Sequence, residues 1–159
     1  MTQVISNSTR HWLLQLARSS IASQLTASLA AAKIPSEIPP EALQLLGCFV
    51  SLHTHAGALR GCIGRIESQA PLWQTVSEMA CAAAFRDPRF QPLSLDELQG
   101  CQLEISILTS PVASSADDIE VGKHGIIIEQ GAQRGLLLPQ VALEWGWDRE
   151  RFLSETCAK

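Results

Sequence analysis

The residues best suited to chemistry are gathered in one stretch, Leu59-Arg60-Gly61-Cys62-Ile63-Gly64. A thiol lies two residues from a guanidinium, between two glycines, in an apolar run. Leu59 and Ile63 alternate with other residues, and the turn-forming pair Ala56-Gly57 lies just upstream, which predicts a β-strand. Residues two apart in a strand share a face. Arg60 and Cys62 are therefore expected on one face with Gly64 beyond them, and Leu59, Gly61 and Ile63 on the other. A nearby cation favours thiolate over thiol, so Arg60 is a candidate activator of Cys62. Glycine inside a strand marks a bulge or a close approach by another backbone or a ligand. Gly61 and Gly64 are expected to leave Cys62 beside open space and are candidate substrate-binding positions. The competing reading is packing, because free cysteine is among the most buried residue types; the residues alone leave the two in balance. The stretch also fits the G-x-x-G pattern of KH-type nucleic-acid loops, but those lie between helices among basic residues.

A cysteine nucleophile needs a base or an electropositive setting, and ideally an orienting group. Besides Arg60, the candidates are His53, across a hairpin from the stretch, and His124, freed by Gly122 and Gly125. Glu104 is a possible orienting carboxylate, and Arg89 a possible anion-binding group. Each has a plainer reading as a turn, solvated or ion-paired residue. No metal site is expected: His53 and His55 could share a face, but no third ligand has suitable spacing. No phosphate-loop pattern occurs, and no cofactor is implied.

The elements that must position these residues follow from periodicity. Ser8 to Ala32 reads as an amphipathic helix, with Trp12, Leu13, Leu16, Ala17, Ile21, Leu25 and Leu29 at three- and four-residue steps; His11 and Arg18 fall on its wet side. Pro35, Pro39 and Pro40 exclude helix from the connector that follows. Gly47 to Thr54 is a strand that turns through His55 to Ala58 into the Leu59 strand. Pairing Thr54 with Leu59 sets His53 opposite Arg60 and Ser51 opposite Cys62. A helix opens at Pro71 and runs to about Phe85. Ser94 and Glu97 have capping-box spacing, and Cys101 to Thr109 is a third strand. Ile126 to Ile128 and Leu136 to Leu138 form a second hairpin. Short helices follow from Pro139 and Asp148.

Gly57-Ala58-Leu59-Arg60-Gly61 matches Gly131-Ala132-Gln133-Arg134-Gly135 at four of five positions. Each sits at the return of a hairpin and precedes a helix opened by a proline. The expected fold is α+β, with two related hairpin-plus-helix lobes from an internal duplication and antiparallel sheets packed by helices. The second copy keeps the arginine and has Leu136 in place of Cys62.

Composition narrows the functional classes. The 159 residues are 46% hydrophobic and 18% charged, which suits one domain with its own core, or two small intimate lobes. A net charge of −4 and a pI of about 5.5 lack the electrostatic footprint of a nucleic-acid binder. No apolar run approaches a membrane span, and no signal peptide is legible. Five cysteines at irregular spacing, without a C-x-x-C pair, fit unpaired thiols in a reducing cytoplasm.

Six ordered blocks give the chain a family resemblance: Gly47-Cys48-Phe49-Val50-Ser51-Leu52, the Leu59–Gly64 stretch, Asp87-Pro88-Arg89-Phe90, Leu103-Glu104-Ile105-Ser106-Ile107-Leu108-Thr109, Gly122-Lys123-His124-Gly125 and Leu138-Pro139-Gln140-Val141-Ala142. In these it resembles AmmeMemoRadiSam system protein A, the AMMECR-type domain, over nearly its whole length. The resemblance implies a two-lobed α+β fold, a Memo-like protein and a radical-SAM enzyme as partners, and a suspected site at Arg60, Gly61, Cys62 and Gly64. It implies no reaction. Members of this family usually run on past the position of Lys159, so the chain is expected to be truncated, with a sheet edge missing or unprotected. Three functions fit, in order of preference: a non-catalytic subunit docking those partners; a small enzyme using Cys62 as nucleophile or redox thiol on an anionic molecule; and a nucleotide or single-strand binder through Arg60, Arg89 and Arg134, against which the 5% aromatic content counts.

Overall fold

In a computed structural model, residues 5–26 and 37–159 are described. The chain divides into two units, Met1–Ser110 and Pro111–Lys159.

The first unit opens with helix α1, Asn7–Leu25, capped by the Ser6 hydroxyl, which accepts from the Thr9 N–H. Its 3.6-residue periodicity buries Leu13, Leu16, Ala17 and Ile21. The expected extension to Ala32 lies outside the described residues. Arg18 is not on a wet face: its guanidinium donates to the carbonyls of Leu98 and Cys101 at 2.8 and 2.6 Å. After a 3₁₀ turn at Pro40–Leu43 comes strand β1, Cys48–His53, with alternate residues buried, then β2, Leu59–Arg65. Helix α2, Leu72–Phe85, short helix α3, Leu95–Gly100, and β3, Gln102–Ile107, complete the unit. The expected capping box of Ser94 and Glu97 opens α3.

The sheet has order β2-β1-β3 and is antiparallel throughout. Period-two alternation puts Cys48, Val50 and Leu52 on the face that α1 and α2 cover, where they meet Leu13, Ile21, Leu72 and Val76. Each such fully buried aliphatic contributes roughly 1.5–3 kcal/mol by leaving water, so this layer carries the unit's stability. Small residues Ala80, Ala83 and Ala84 let α2 lie directly on β2.

The second unit contains strands β4, Ile126–Gln130, and β5, Gln133–Leu137, paired as a two-stranded antiparallel hairpin. Helices α4, Pro139–Glu144, and α5, Arg149–Cys157, follow. Ile126, Leu137, Ala142 and Phe152 form its smaller core. Gly146, at φ 63°, separates the two helices, and Asp148 caps α5. The architecture is α+β, with antiparallel sheets packed by helices, as expected.

Candidate functional site

Ser51 stands opposite Cys62, as expected, but His53 does not stand opposite Arg60. It pairs with Leu59, and the register shifts between Leu52 and His53. Arg60 is the extra residue of a bulge, which re-aims its side chain. The glycines also differ from expectation. Neither leaves space beside Cys62. A Cβ on Gly61 would lie 2.2 Å from the Ala83 carbonyl oxygen, and one on Gly64 would lie 2.4 Å from the Phe49 ring. Gly61 admits the backbone of α2 on the core side, and Gly64 admits an aromatic ring on the other.

Cys62 is half-buried on the sheet face away from the helices. Its Sγ accepts a hydrogen bond from the Ser51 hydroxyl at 3.2 Å. Ser51 in turn faces Glu104 on β3, so the cross-strand pairing lines up a thiol, a hydroxyl and a carboxylate. His53 joins the end of this row, its Nε2 3.9 Å from the Glu104 carboxylate.

The backbone of Cys62 is held from outside the sheet. β2 is an edge strand, and a single acid–base pair supplies what a neighbouring strand would. Asp87 Oδ2 accepts from the Cys62 N–H at 2.9 Å, and Arg89 Nη2 donates to the Cys62 carbonyl at 3.3 Å. Asp87 and Arg89 also bind each other through both carboxylate oxygens, at 3.0 and 2.8 Å. The Asp87 side chain is only 1% exposed. The Arg89 hydrogen bond above all, and the Cys62 N–H after it, hold the Asp87 carboxyl far below the usual carboxylate range against the opposing cost of burial. Arg89 is raised in turn, first by its hydrogen bond to Asp87.

Arg60 is turned the other way. Its Nε and Nη2 reach the two Glu97 oxygens at 3.0 and 3.2 Å, and Nη2 also donates to the Gln91 carbonyl at 3.0 Å. Nη1 is buried without a hydrogen-bond partner among the described residues. Glu97 is held at about 2, chiefly by Arg60 and then by the Ser94 N–H at the head of α3. Phe90 lies between the arginines, 5.8 Å from the Arg60 guanidinium and 5.5 Å from that of Arg89. Both arginines thus fasten the segment from Asp87 to Glu97 onto β2. Arg89, not Arg60, is the cation bonded to Cys62, and it reaches the carbonyl.

His124 lies in the second unit, where its Nδ1 accepts from the Glu120 N–H at 3.2 Å. Arg134 pairs with Glu129 at 2.9 Å. Among the described residues no three His, Cys, Asp or Glu side chains converge to hold a metal ion, and no helix is long and apolar enough to cross a membrane.

Sequence reasoning missed Asp87, Glu97 and Phe90 as parts of the site. Asp87 had a local signal: Asp-Pro-Arg favours an Asx turn, and the Arg89 N–H does bond Asp87 Oδ1 at 3.1 Å. Nothing local tied that turn to β2.

Known proteins bear on this arrangement. The chain is 46% identical over 154 residues to a protein of Methanothermobacter thermautotrophicus, covering 92% of this chain and 79% of the relative. It is 45% identical over 135 residues to Protein PF1979 of Pyrococcus furiosus, covering 79% of this chain but only 64% of that relative's length. The crystal structure of an uncharacterized protein, PH0010 from Pyrococcus horikoshii, superposes with a TM-score of 0.86 at 39% identity, covering 98% of this chain and 81% of that one. The AMMECR1 family model matches residues 14–159. With that span and these relatives, the chain belongs to the AMMECR1 family.

Proposed function

We propose that this chain is a non-catalytic subunit that works with a Memo-like protein and a radical-SAM enzyme, presenting the Cys62 face of its first sheet to one of them. One observation supports this most: Arg60, within the Leu59–Gly64 stretch, and Arg89, bonded to Cys62, are both engaged in fastening the fold. Arg60 is held by Glu97 and the Gln91 carbonyl, and Arg89 by Asp87. The thiol is left with a hydroxyl neighbour on a half-open face, so the stretch reads as a braced surface. Five free thiols suit a reducing cytoplasm. The test is co-purification of the three tagged proteins. Cys62→Ser is expected to leave the complex intact, and Ser51→Arg, which crowds the face, to abolish it. Loss of the complex with Cys62→Ser, or its survival with Ser51→Arg, would overturn the reading.

The second reading is a cysteine-dependent enzyme acting on an anionic small molecule. It draws on the Ser51 hydroxyl at Sγ and on Glu104 and His53 along the same face. It requires Cys62 to alkylate much faster than Cys81 near neutral pH, and equal rates would sink it. A nucleotide-binding role has less support, because Arg60, Arg89 and Arg134 each already pair with a carboxylate.

A further inference from the structure

The first sheet has two edges, and they are treated differently. At β2, Asp87 and Arg89 occupy the outward N–H and C=O of Cys62. At β3, no strand pairs with the outer edge among the described residues. The Leu108 N–H bonds the Gly47 carbonyl, which sets the alternation along the strand. Residues 104 and 106 turn their backbone groups toward β1, and Leu103, Ile105 and Ile107 turn theirs outward. Beside this edge runs a groove of about 610 Å³ between β3 and the first half of α1. Its walls are largely apolar, with Leu13 and Leu14 facing Leu103, Ile105 and Ile107. Its charged lining groups have opposite sign, Arg10 on the helix and Glu104 on the strand.

We propose that the β3 edge is a docking site for an extended peptide segment of a partner protein, added as a fourth strand, with apolar residues at alternate positions and one basic and one acidic residue to meet Glu104 and Arg10. The open ladder supplies main-chain bonds, and the groove takes every second side chain, as strand addition to a sheet edge requires. A second copy of this chain fits less well. Antiparallel pairing of β3 with its own copy would bring another α1 to the same face of the sheet, onto the groove that the first α1 walls. This inference does not rest on the Cys62 face being a docking surface: it uses the other edge of the sheet and shares with that face only Glu104.

The test uses the whole chain and a synthetic ten-residue peptide of alternating valine and threonine, with one lysine and one glutamate spaced for Glu104 and Arg10. Amide exchange of the free chain is expected to show rapid exchange at Leu103, Ile105 and Ile107. Saturating peptide is expected to slow these at least tenfold while leaving the Cys62 amide unchanged. Leu14→Glu, a half-buried groove-wall change, is expected to weaken binding at least tenfold without unfolding the chain, and so is replacing the peptide's lysine by glutamate. No binding by the wild-type chain overturns the proposal. So does protection of the same three amides in the free chain at every concentration, which would mean that the chain covers its own edge. Protection that rises with protein concentration, together with a dimer in sedimentation, assigns the edge to a second copy and also overturns it.

Discussion

The hairpins β1–β2 and β4–β5 share a local device and differ in what is built around it. In each, a glycine at positive φ turns the chain, Gly57 at 84° and Gly131 at 62°. Four residues on, a second glycine lies under a helix carbonyl: Gly61 under Ala83 and Gly135 under Thr156. Between them an arginine pairs with a glutamate, Arg60 with Glu97 and Arg134 with Glu129. The likeness then breaks. The carbonyl over Gly61 belongs to α2, the next helix in sequence, whereas that over Gly135 belongs to α5, the second helix after its hairpin. Arg134 pairs with the residue directly opposite it, while Arg60 reaches 37 residues along the chain. A repeated pentapeptide therefore specifies a turn and a close helix approach. It does not specify the brace that makes the first hairpin distinctive.

The largest expected effect separates the two close approaches. Gly61→Ala forces α2 away from the sheet over the main core, at a cost of about 3 kcal/mol by overpacking, read as a fall in the urea midpoint. Gly135→Ala acts on the nine-residue α5, so its expected mark is faster amide exchange in α5. Equal losses from both would erase the distinction.

Removing the pair that closes the β2 edge comes next. Asp87→Ala leaves the Cys62 N–H and Arg89 without their acceptor, and about 2–3 kcal/mol is expected for breaking a buried charged bond whose cation is half in water. Fast exchange of the Cys62 amide would accompany it. The sign with pH follows from the depressed carboxyl. The stabilisation is complete above the ordinary carboxylate range, and is lost as pH falls below that range toward the far lower folded value of Asp87. Urea midpoints at pH 5, 3 and 2 are expected to fall for the wild type and to fall less for Asp87→Ala.

The arginines sharpen the comparison at smaller scale. The Arg60 side chain is 13% exposed and Arg134 44%. Arg60→Lys, which loses the forked contact with Glu97 and the Phe90 face, is expected to cost about 1 kcal/mol. Arg134→Lys should stay within about 0.5 kcal/mol, as an exposed pair does. Glu97→Gln is expected to remove the part of the acid response that lies between the ordinary glutamate range and about 2.

Smallest is the thiol itself. Cys62→Ser is expected to change stability by less than about 1 kcal/mol, because the site is half-open and already polar. Alkylation followed by mass spectrometry should modify Cys62 readily and leave Cys48 untouched, since burial pushes the Cys48 thiol up to about 12.

Much of this was legible in one dimension. Alternation in Cys48–His53 and Gln102–Ile107, the three- and four-residue steps from Leu13 to Ile21, and the cap at Ser94 are local patterns whose physics is complete within a few residues. They determined the strands, the helices, the α+β class and the facing of Ser51 toward Cys62. Position in three dimensions decided the rest. Whether Gly61 opens space or admits a helix depends on where Ala83 comes to lie, 22 residues on. Whether Arg60 activates a thiol or braces a turn depends on a one-residue bulge that no composition announces. Asp87 looked like a turn residue, and became the acceptor for Cys62 only when α2 returned the chain to the β2 edge. A side chain's type and spacing set what it can do; which partner it meets is set by contacts between distant segments, and those exist only in the folded chain.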